Sequence, residues 1–399
     1  MNTRFAKSFT RQEPIPADAV ARALDVLQSG RLHRYDPPPD GGPGEASRLE
    51  AEFARYQGQT YCLACASGGY ALQLALRAAG VAPGDVVLSN AFTLSPVPGA
   101  IAAVGGRPRL VETTAELVID LDHLEREAAR GDARVLLLSH MRGHLADMDR
   151  VVRIVAAHSL LLIEDCAHTM GASFANGRSG THGHVACFST QTYKHLNSGE
   201  GGLLTSDDAT LAARAILLSG SYMLYERHGA APPAETFESL RLATPNCSGR
   251  MDELRAAILR PQLAALDANA ARWNERHRAM HDVLARCDDI RLPRPHPLAR
   301  EVSSSIQFFV DAFDADGNAR LVERCAEAGI ALKWFGRPEP LGYTSRHDSW
   351  RYVESEPLPQ TDAVLATLHD CRIPLTFDID DCRTVATVIV ESVRAIANG

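Results

Sequence analysis

The first 250 residues alternate short apolar runs with segments of helical periodicity, and this alternation constrains the fold more than any other feature of the chain. Apolar runs at residues 61–66, 86–88, 109–111, 135–138 and 160–163 are typical of buried strands. Most of the segments between them repeat apolar residues near the 3.6-residue period of a helix. Strands and helices that alternate in this way form a mainly parallel sheet covered on both faces. The sequence therefore predicts an α/β fold.

The pattern changes after about residue 250. Residues 251–283 have the spacing of a long helical stretch, which Pro261 is expected to kink or divide. Residues 306–310 are a candidate strand, and two further helices are predicted at residues 318–328 and 381–397. We therefore predict two domains, a large α/β domain at residues 1–250 and a small α+β domain at residues 251–399. Residues 35–44, rich in proline and glycine, are predicted to form an irregular loop.

Composition and charge exclude several classes of protein. A net charge of −8 and a pI near 6.0 offer no basic surface for nucleic acid or anionic membranes. No apolar stretch approaches the roughly 18–20 residues that a membrane span needs, and the N-terminus lacks the apolar core of a signal peptide. Nine cysteines, an odd number scattered along the chain, argue against a disulfide framework. We expect a cytoplasmic, globular enzyme with no nucleic-acid or membrane partner.

Two pairs of residues have spacings that resemble metal sites. Cys62 and Cys65 form a CxxC, but no second CxxC completes a zinc site, so buried structural thiols are favoured. His140 and His144 stand four residues apart without a third ligand. We predict no metal at either place.

An acid and a lysine lie 29 residues apart at the ends of two apolar runs. Asp165 follows the run at residues 160–163, and Lys194 follows the run at 185–188, just before Gly-Glu-Gly-Gly. A carboxylate that holds a pyridine nitrogen protonated and a lysine that forms a Schiff base are the two groups that pyridoxal phosphate requires. Taken alone, a surface lysine and an acid that caps a helix would account for the pair, because such pairs are common.

A second candidate feature is a glycine-rich turn. Ser67, Gly68 and Gly69 lie between the strand at 61–66 and a predicted helix at 70–79. Backbone N–H groups at a helix N-terminus bind anions, although an isolated Ser-Gly-Gly is more often a plain turn. Ser189, five residues before Lys194, has a hydroxyl that can donate to a phosphate.

Two ring-bearing side chains complete the candidate site. Phe92 follows the strand at 86–88, at the carboxyl end of the sheet where open α/β folds bind ligands. There it either lies flat on a cofactor ring or belongs to the core. His168 follows Asp165 by three residues, so a turn or helix start would direct both side chains to one site.

The order of these features along the chain resembles the DegT/DnrJ/EryC1/StrS sugar aminotransferase family, whose members are fold-type I enzymes that use pyridoxal phosphate. The resemblance runs from about residue 10 to 275 and is most specific from Asp165 to Lys194. The segments that carry it are SGRLHRY, LEAEFARYQG, ASGGYALQLALRAAGVAPGDVVLSNAFT, SHMRGHLADMD, IEDCAHTMGASFANGRSGTHGHVACFSTQTYKHLNSGEGGLLTSDD and GRMDELRAAILRPQLAALD. It implies a large domain with a mainly parallel seven-stranded sheet flanked by helices, followed by a small α+β domain.

The resemblance also implies catalytic roles. Lys194 would form the Schiff base with the cofactor and then move protons as general base and acid. Asp165 would pair with the pyridinium nitrogen, and His168 would lie beside the ring. Phe92 would stack on the ring face.

For the phosphate, the resemblance implies Ser67, Gly68 and Ser189 as ligands. Gly69 stands where the family usually has threonine, so only its backbone N–H remains as a donor. The family forms homodimers in which an asparagine near an Asn-x-Arg-Met motif reaches the partner's phosphate. Here the sequence is Asn-Cys-Ser-Gly-Arg-Met, with Asn246 two positions early, so either a bulge restores its reach or Ser248 takes its place. Asn246 is the favoured residue.

The C-terminal part departs from the sugar enzymes and leaves the substrate open. Arg337, Arg346 and Arg351 occur among aromatic residues, where forked guanidinium groups suit a small carboxylate or phosphate. Surface arginines packed on tryptophan would have the same sequence pattern.

The sequence therefore predicts a biosynthetic aminotransferase that moves an amino group from glutamate or glutamine to a keto-sugar or related keto acceptor. A lyase, replacement enzyme or epimerase with the same lysine chemistry stays open, as does a cofactor-binding regulator that is not an enzyme. The presence of Lys194 argues against the dehydratases that resemble this family, because they have histidine in its place.

Overall fold

The computed structural model describes residues 4–36, 38–354 and 356–398. The strands in these residues are β1 (Tyr61–Cys65), β2 (Val86–Asn90), β3 (Arg107–Val111), β4 (Ala133–Ser139), β5 (Leu161–Asp165), β6 (Ser173–Phe174), β7 (Gly177–Arg178), β8 (Val185–Ser189), β9 (Gly202–Ser206), β10 (Ala299–Arg300), β11 (Ser305–Phe309), β12 (Leu332–Trp334) and β13 (Leu368–Arg372). The helices are α1 (Ala17–Ser29), α2 (Glu45–Gln57), α3 (Gly68–Ala78), α4 (Pro96–Ala103), α5 (Leu121–Ala128), α6 (Met148–Ala157), α7 (Ala209–Leu218), α8 (Ala234–Glu238), α9 (Glu253–Ala264), α10 (Leu266–Leu284), α11 (Ala315–Glu327), α12 (Pro359–Ala366) and α13 (Ile379–Ala397).

A seven-stranded sheet in the order β1-β9-β8-β5-β4-β2-β3 forms the centre of the molecule. β9 runs antiparallel to both of its neighbours, and the other pairs are parallel. Each strand predicted in this region is present, with ends within about two residues of those expected from the sequence. The predicted α/β fold with a mainly parallel seven-stranded sheet is confirmed.

Helices cover both faces of this sheet because its strands are apolar on both sides. In β4, Val135 and Leu137 face the core that α3, α4 and α7 complete, whereas Leu136 and Leu138 face the core beneath α5 and α6. Successive side chains of a strand point to opposite faces, so a continuous apolar run such as residues 135–138 must be buried on both sides.

A second sheet, antiparallel and in the order β11-β13-β12, lies in the C-terminal part. Its core contains Phe308, Leu321 and Ile389, and Phe9 from the N-terminal segment packs into it. Trp273 of α10, in turn, belongs to a core of the large sheet. The domain boundaries predicted from the sequence, 1–250 and 251–399, stay a prediction.

The long C-terminal helical stretch is divided, but not at Pro261 as expected. Pro261 lies inside α9, which continues to Ala264, and the break falls at Ala265 before α10 begins. A proline within a helix removes one backbone hydrogen bond without necessarily ending the helix at that residue. In the described part of the predicted loop at residues 35–44 the chain forms turns, and Pro37 lies outside the described residues.

Across the described residues, none of the helices combines the length and apolarity needed to span a bilayer. All nine cysteines are free thiols, and Cys62 and Cys65 are buried in β1, where burial raises the pKa of Cys65 to about 12. His140 and His144 do not face each other as a ligand pair. His140 lies 2.9 Å from the Glu164 carboxylate, and His144 lies 2.9 Å from the Gln307 side chain.

Candidate active site

A cavity of about 410 Å³ opens at the edge of the large sheet where the parallel strands end. Ser139 and Asp165, the last residues of β4 and β5, are paired in register there, and Ser189 ends β8 at the same edge. Ligands of open α/β sheets bind at the carboxyl ends of the strands, because the loops that follow converge at that edge. The cavity contains most of the side chains that the sequence singled out.

Asp165 is held in place by two hydrogen bonds. Its Oδ2 accepts from the Ser139 hydroxyl at 2.9 Å, and its Oδ1 accepts from the Ala167 N–H at 3.1 Å. Thr93 in turn donates to the Ser139 hydroxyl at 2.8 Å, which connects the loop after β2 to the carboxylate. A carboxylate has about four acceptor sites, so Asp165 retains capacity for a donor inside the cavity.

Lys194 lies in the loop between β8 and β9 and its side chain lines the cavity. Its Nζ is 2.9 Å from Nε2 of His168. Burial lowers the pKa of Lys194 to about 7, and Arg142, Arg372 and Lys333 act in the same direction while Asp165 opposes them. A lysine amine with a pKa near neutrality can serve as a nucleophile and as a proton carrier.

His168 lies beside Lys194 and lines the same cavity as Asp165. Burial lowers the pKa of His168 well below its ordinary value, and the positive charge of Lys194 lowers it further. The imidazole is therefore neutral at physiological pH, and its bond to Nζ fixes the direction of the lysine amine.

Ser67, Gly68 and Gly69 form an anion cradle at the start of α3. Ser67 is the N-cap, and its hydroxyl accepts from the Tyr70 N–H at 3.1 Å. The N–H groups of Gly68 and Gly69, in the first turn of the helix, have no acceptor within the helix and face an anion site. The Ser189 hydroxyl also lines the cavity, and it accepts only a weak bond from the Gln191 N–H at 3.3 Å.

The cradle depends on glycine at position 68. A Cβ on Gly68 would lie 2.7 Å from Cβ of Ser189, so any other residue would force the helix and β8 apart. Gly69 differs, because a Cβ there would meet only Cβ of Pro96 at 3.9 Å. A side chain at position 69 would therefore fit without a clash.

These groups fit pyridoxal 5′-phosphate. A phosphate matches the free N–H groups of α3 with the Ser189 hydroxyl, a protonated pyridine nitrogen matches Asp165, and an aldehyde carbon matches the buried amine of Lys194. Six of the predicted residues, Ser67, Gly68, Gly69, Asp165, Ser189 and His168, line one cavity together with Lys194.

Phe92, predicted to stack on the cofactor ring, does not line this cavity. Its side chain is 1% exposed and packs edge-on against Phe335, with 5.1 Å between the ring centroids. Asn90 donates to the Phe92 carbonyl at 2.8 Å, and the residues of this loop that line the cavity are Thr93 and Leu94. The structure thus places Phe92 in the core, which was the other reading of the sequence.

The three arginines predicted for the substrate also lie outside the cavity. Arg337 and Arg351 are exposed, and Arg346 pairs with Asp348 at 2.8 Å and with Asp362 at 3.1 Å. A different residue of the same segment, Tyr343, lines the cavity.

Three other cations, which were not predicted from the sequence, also line the cavity. They are Arg142, Lys333 and Arg372. Arg142 lies in the turn after β4 with a left-handed φ of 58°, a conformation that is strained for a residue other than glycine. Lys333 belongs to β12 and Arg372 ends β13. The available signal was that Lys333 and Arg372 each stand between apolar neighbours in the sequence, where charges are rarely buried without a partner.

Asn246 is exposed and does not line the cavity within one chain. Its Oδ1 accepts from the Ser248 N–H at 3.1 Å, and Ser248 has a left-handed φ of 46°. Its predicted reach to a partner's phosphate concerns a second subunit and stays a prediction.

The fold and the site together define a class, the fold-type I enzymes that use pyridoxal phosphate. Residues 17–390 match the DegT/DnrJ/EryC1/StrS aminotransferase family. The chain is 33% identical over 412 residues to the L-glutamine:scyllo-inosose aminotransferase of Streptomyces griseus, a match that covers 96% of this chain and 95% of that protein. It is also 32% identical over 264 residues to the pleiotropic regulatory protein of Geobacillus stearothermophilus, covering 65% of this chain and 63% of the relative.

Solved structures agree with this assignment. The crystal structure of Streptomyces venezuelae DesV in complex with a ketimine intermediate superposes with a TM-score of 0.78 at 29% identity. The superposition covers 96% of this chain and 95% of that one. The chain therefore belongs to the DegT/DnrJ/EryC1/StrS aminotransferase family and is an aminotransferase that uses pyridoxal 5′-phosphate.

Proposed function

We propose that this enzyme moves the amino group of glutamate or glutamine to the ketone of a keto-sugar or related small metabolite in a biosynthetic pathway. The observation that carries the proposal is the buried Lys194 amine, 2.9 Å from His168, in a cavity that also holds Asp165 and the α3 cradle. The relative from Streptomyces griseus, whose name states L-glutamine and scyllo-inosose as the two substrates of an aminotransferase, supports the same reaction class.

The reaction balances without an outside oxidant or reductant. The donor carbon gives up its amino group and one hydrogen and becomes the ketone of a 2-oxo acid. The acceptor ketone becomes an amine and gains one hydrogen. Pyridoxal phosphate, when bound, supplies the electron sink for the reacting carbon.

The residues of the chain supply binding, orientation and proton transfer. The Nζ of Lys194, with its pKa lowered to about 7, takes a proton from the substrate carbon and returns it at neutral pH. His168 holds Nζ toward the cavity through their 2.9 Å contact. Asp165, fixed by Ser139 and Ala167, would hold the pyridine nitrogen of the cofactor, where its negative charge would favour the protonated ring.

Phosphate binding is assigned to the start of α3. The Gly68 and Gly69 N–H groups and the hydroxyls of Ser67 and Ser189 would bind the phosphate, and Asn246 would add a contact from the second subunit. The close approach of Gly68 to Ser189 supports this assignment, because it brings donors from two elements to one point.

The donor half-reaction tests the proposed function. Purified enzyme loaded with pyridoxal phosphate is mixed with glutamate or glutamine, and the visible absorbance and the 2-oxo acid product are followed. We expect one of the two donors to bleach the visible band and to release its 2-oxo acid in a 1:1 ratio to enzyme. A band that persists with both donors would contradict transamination and favour an elimination, replacement or epimerisation reaction at the same lysine.

We further propose a cytoplasmic homodimer. Tyr222 and Met223, which are 57% and 52% exposed, form an apolar surface near Arg250, whose guanidinium lies 5.6 Å from the Tyr222 ring centroid. Free thiols at all nine cysteines suit a reducing compartment.

Analytical ultracentrifugation should give a mass of two chains, and an Asn246→Ala variant mixed with Lys194→Ala should recover activity in mixed dimers. A monomer with full activity would contradict the homodimer.

A further inference from the structure

The cavity carries more positive charge than the cofactor site explains. Arg142 and Lys333 share one buried carboxylate, Asp370, at 3.0 and 3.3 Å. The other oxygen of Asp370 accepts from the Gln307 amide at 2.7 Å. A single carboxylate therefore compensates two cations at this wall of the cavity.

Arg372, the third cation, has no such partner. Within residues 4–36, 38–354 and 356–398, no carboxylate lies within 4.0 Å of its guanidinium, and its one hydrogen bond is a 3.4 Å contact to the Tyr193 carbonyl. Burial lowers the pKa of Arg372 to about 10, and Arg142 acts in the same direction. Arg372 is half-buried, and a cation that is partly removed from water without a partner is unfavourable, so its position beside the reacting lysine calls for a ligand.

The orientation of Arg372 indicates how that ligand binds. Its guanidinium lies 4.0 Å from the centroid of the Tyr193 ring, which covers one face of the group. Tyr343, whose ring lies 6.1 Å from that of Tyr193, lines the cavity beside them. Since guanidinium N–H groups point outward in the plane, the edge of Arg372 is the part left for an acceptor with two oxygens.

The carboxylates that line the cavity do not fill this role. Asp165 is oriented by Ser139 and Ala167 at the cofactor end, and Glu200 is exposed at the rim. The α3 cradle, which suits the cofactor phosphate, is built by different elements from Arg372 on β13 and Lys333 on β12. The excess positive charge is therefore directed at the substrate.

We propose that the keto acceptor is a carboxylic acid whose carboxylate is bound by the edge of Arg372, with Lys333 beside it. This inference rests on the proposed transamination and narrows its acceptor from keto-sugars in general to keto acids. The donor and the acceptor occupy the same cavity in turn. An uncharged acceptor would therefore leave the half-buried Arg372 without an anionic partner in the second half-reaction, whereas an acid supplies one in both half-reactions. A flat forked carboxylate matches guanidinium geometry, and Lys333 adds charge without a fixed direction.

The test uses enzyme loaded with pyridoxamine phosphate, so that the donor step is bypassed. The probes are 3-oxocyclohexane-1-carboxylate and its uncharged amide, which share a ring ketone and differ in charge. Calorimetric titration gives their affinities, and the growth of the visible band gives the rate of amino transfer. We expect the acid to bind at least about tenfold more tightly than the amide, which corresponds to about 1.4 kcal/mol.

Three variants separate Arg372 from general charge effects. Arg372→Gln should bring the two affinities within about twofold, and Arg372→Lys should keep part of the preference because it retains the charge but not the fork. Arg383→Gln, on the exposed surface of α13, should behave as the unmodified enzyme. Equal affinities in the unmodified enzyme, a preference that survives in Arg372→Gln, or no binding of either probe would overturn the proposal.

Two further outcomes would give Arg372 a role other than acceptor binding, and each would also overturn the proposal. If Arg372→Gln slows only the glutamate or glutamine half-reaction, the group serves the donor alone. If it lowers the dimer content and affects both probes equally, it pairs with the second subunit. The donor half-reaction is measured separately. If the enzyme reacts with its donor but does not prefer the acid probe to the amide, the proposed class of acceptor is wrong and transamination itself is still supported.

Discussion

The cavity has two walls that differ in how the sequence builds them. The sheet-edge wall consists of Ser67, Gly68, Gly69, Asp165, His168, Ser189 and Lys194, which follow strand ends of the large sheet. The small-sheet wall consists of Lys333 of β12 and Arg372 of β13, together with Arg142, which extends from the turn after β4 to share Asp370 with Lys333. Residues of the first wall occur in short motifs, whereas those of the second come together only through tertiary packing. The first wall suits a cofactor common to a family, and the second suits a particular substrate.

The largest expected effect is at Lys194. Lys194→Ala removes both the nucleophile and the proton carrier, so kcat/KM should fall by about 10⁴-fold or more and the visible band of the bound cofactor should be lost. Steady-state kinetics and an absorbance spectrum check this. Lys7→Ala, which removes a lysine that is half-exposed near Asp378, is the matched control and should change neither. An unchanged band in Lys194→Ala would show that the lysine assignment is wrong.

The next effect compares two adjacent glycines of the sheet-edge wall. Gly68→Ala places a methyl group 2.7 Å from Cβ of Ser189, and relieving such a clash costs about 1–3 kcal/mol. Cofactor affinity, measured by titration of the apoenzyme, should therefore fall about tenfold or more.

Gly69→Thr is the control for this pair, because its Cβ would have only the Pro96 contact at 3.9 Å. The added hydroxyl restores a phosphate donor worth about 0.5–1.5 kcal/mol, so affinity should be unchanged or up to about tenfold higher. Equal losses in both variants would place the phosphate away from α3.

Phe92 is the residue near the sheet-edge wall whose position could not be predicted from the sequence. Strand ends and the acid–lysine pair were predictable because strands have a fixed period and their ends share one edge. In the irregular loop after β2, by contrast, Asn90 binds the Phe92 carbonyl, and Leu94 rather than Phe92 lines the cavity. No periodicity predicts this arrangement, because the loop is held by contacts with residues distant in sequence, such as the bond from the Phe92 N–H to the Thr113 hydroxyl at 3.2 Å.

The small-sheet wall was missed for a different reason. Arg142, Lys333 and Arg372 are far apart in the sequence, and only the pairing of β12 with β13 and the shared Asp370 bring them to one site. The conspicuous arginines of the 337–351 segment, which stand near aromatic residues in sequence, face solvent or pair with acids instead. A cluster that forms through tertiary contacts leaves little local pattern.

A smaller effect is expected for Phe92→Leu. Because Phe92 packs against Phe335 in a buried cluster, the substitution should lower the free energy of unfolding by about 1–2 kcal/mol while cofactor affinity stays within about twofold. Chemical denaturation and cofactor titration measure the two quantities. Leu94→Ala, at the cavity, should instead lower cofactor affinity while the free energy of unfolding changes little. If Phe92→Leu lowers cofactor affinity without lowering the free energy of unfolding, Phe92 stacks on the cofactor ring and is not a core residue.

The smallest effect couples the two walls through pH. In the apoenzyme the pKa of Lys194 is lowered to about 7, so the rate at which added pyridoxal phosphate develops its visible band should rise as pH increases through about 7 and then level off. Arg372→Gln removes a cation that disfavours the Lys194 ammonium, so the midpoint should move to higher pH. Asp165→Asn removes an anion that favours the ammonium, so its midpoint should move to lower pH. Midpoints that shift the same way in both variants would contradict this coupling.

The chain offers a direct test of the central claim, because Lys194 is one of only three lysines, with Lys7 and Lys333. Borohydride reduction of the holoenzyme fixes the cofactor to the amine that holds it, and peptide mass spectrometry locates the added mass. We expect the label on the peptide that contains Lys194, with Lys7 and Lys333 unlabelled. A label on Lys333, or no label on any of the three, would contradict it.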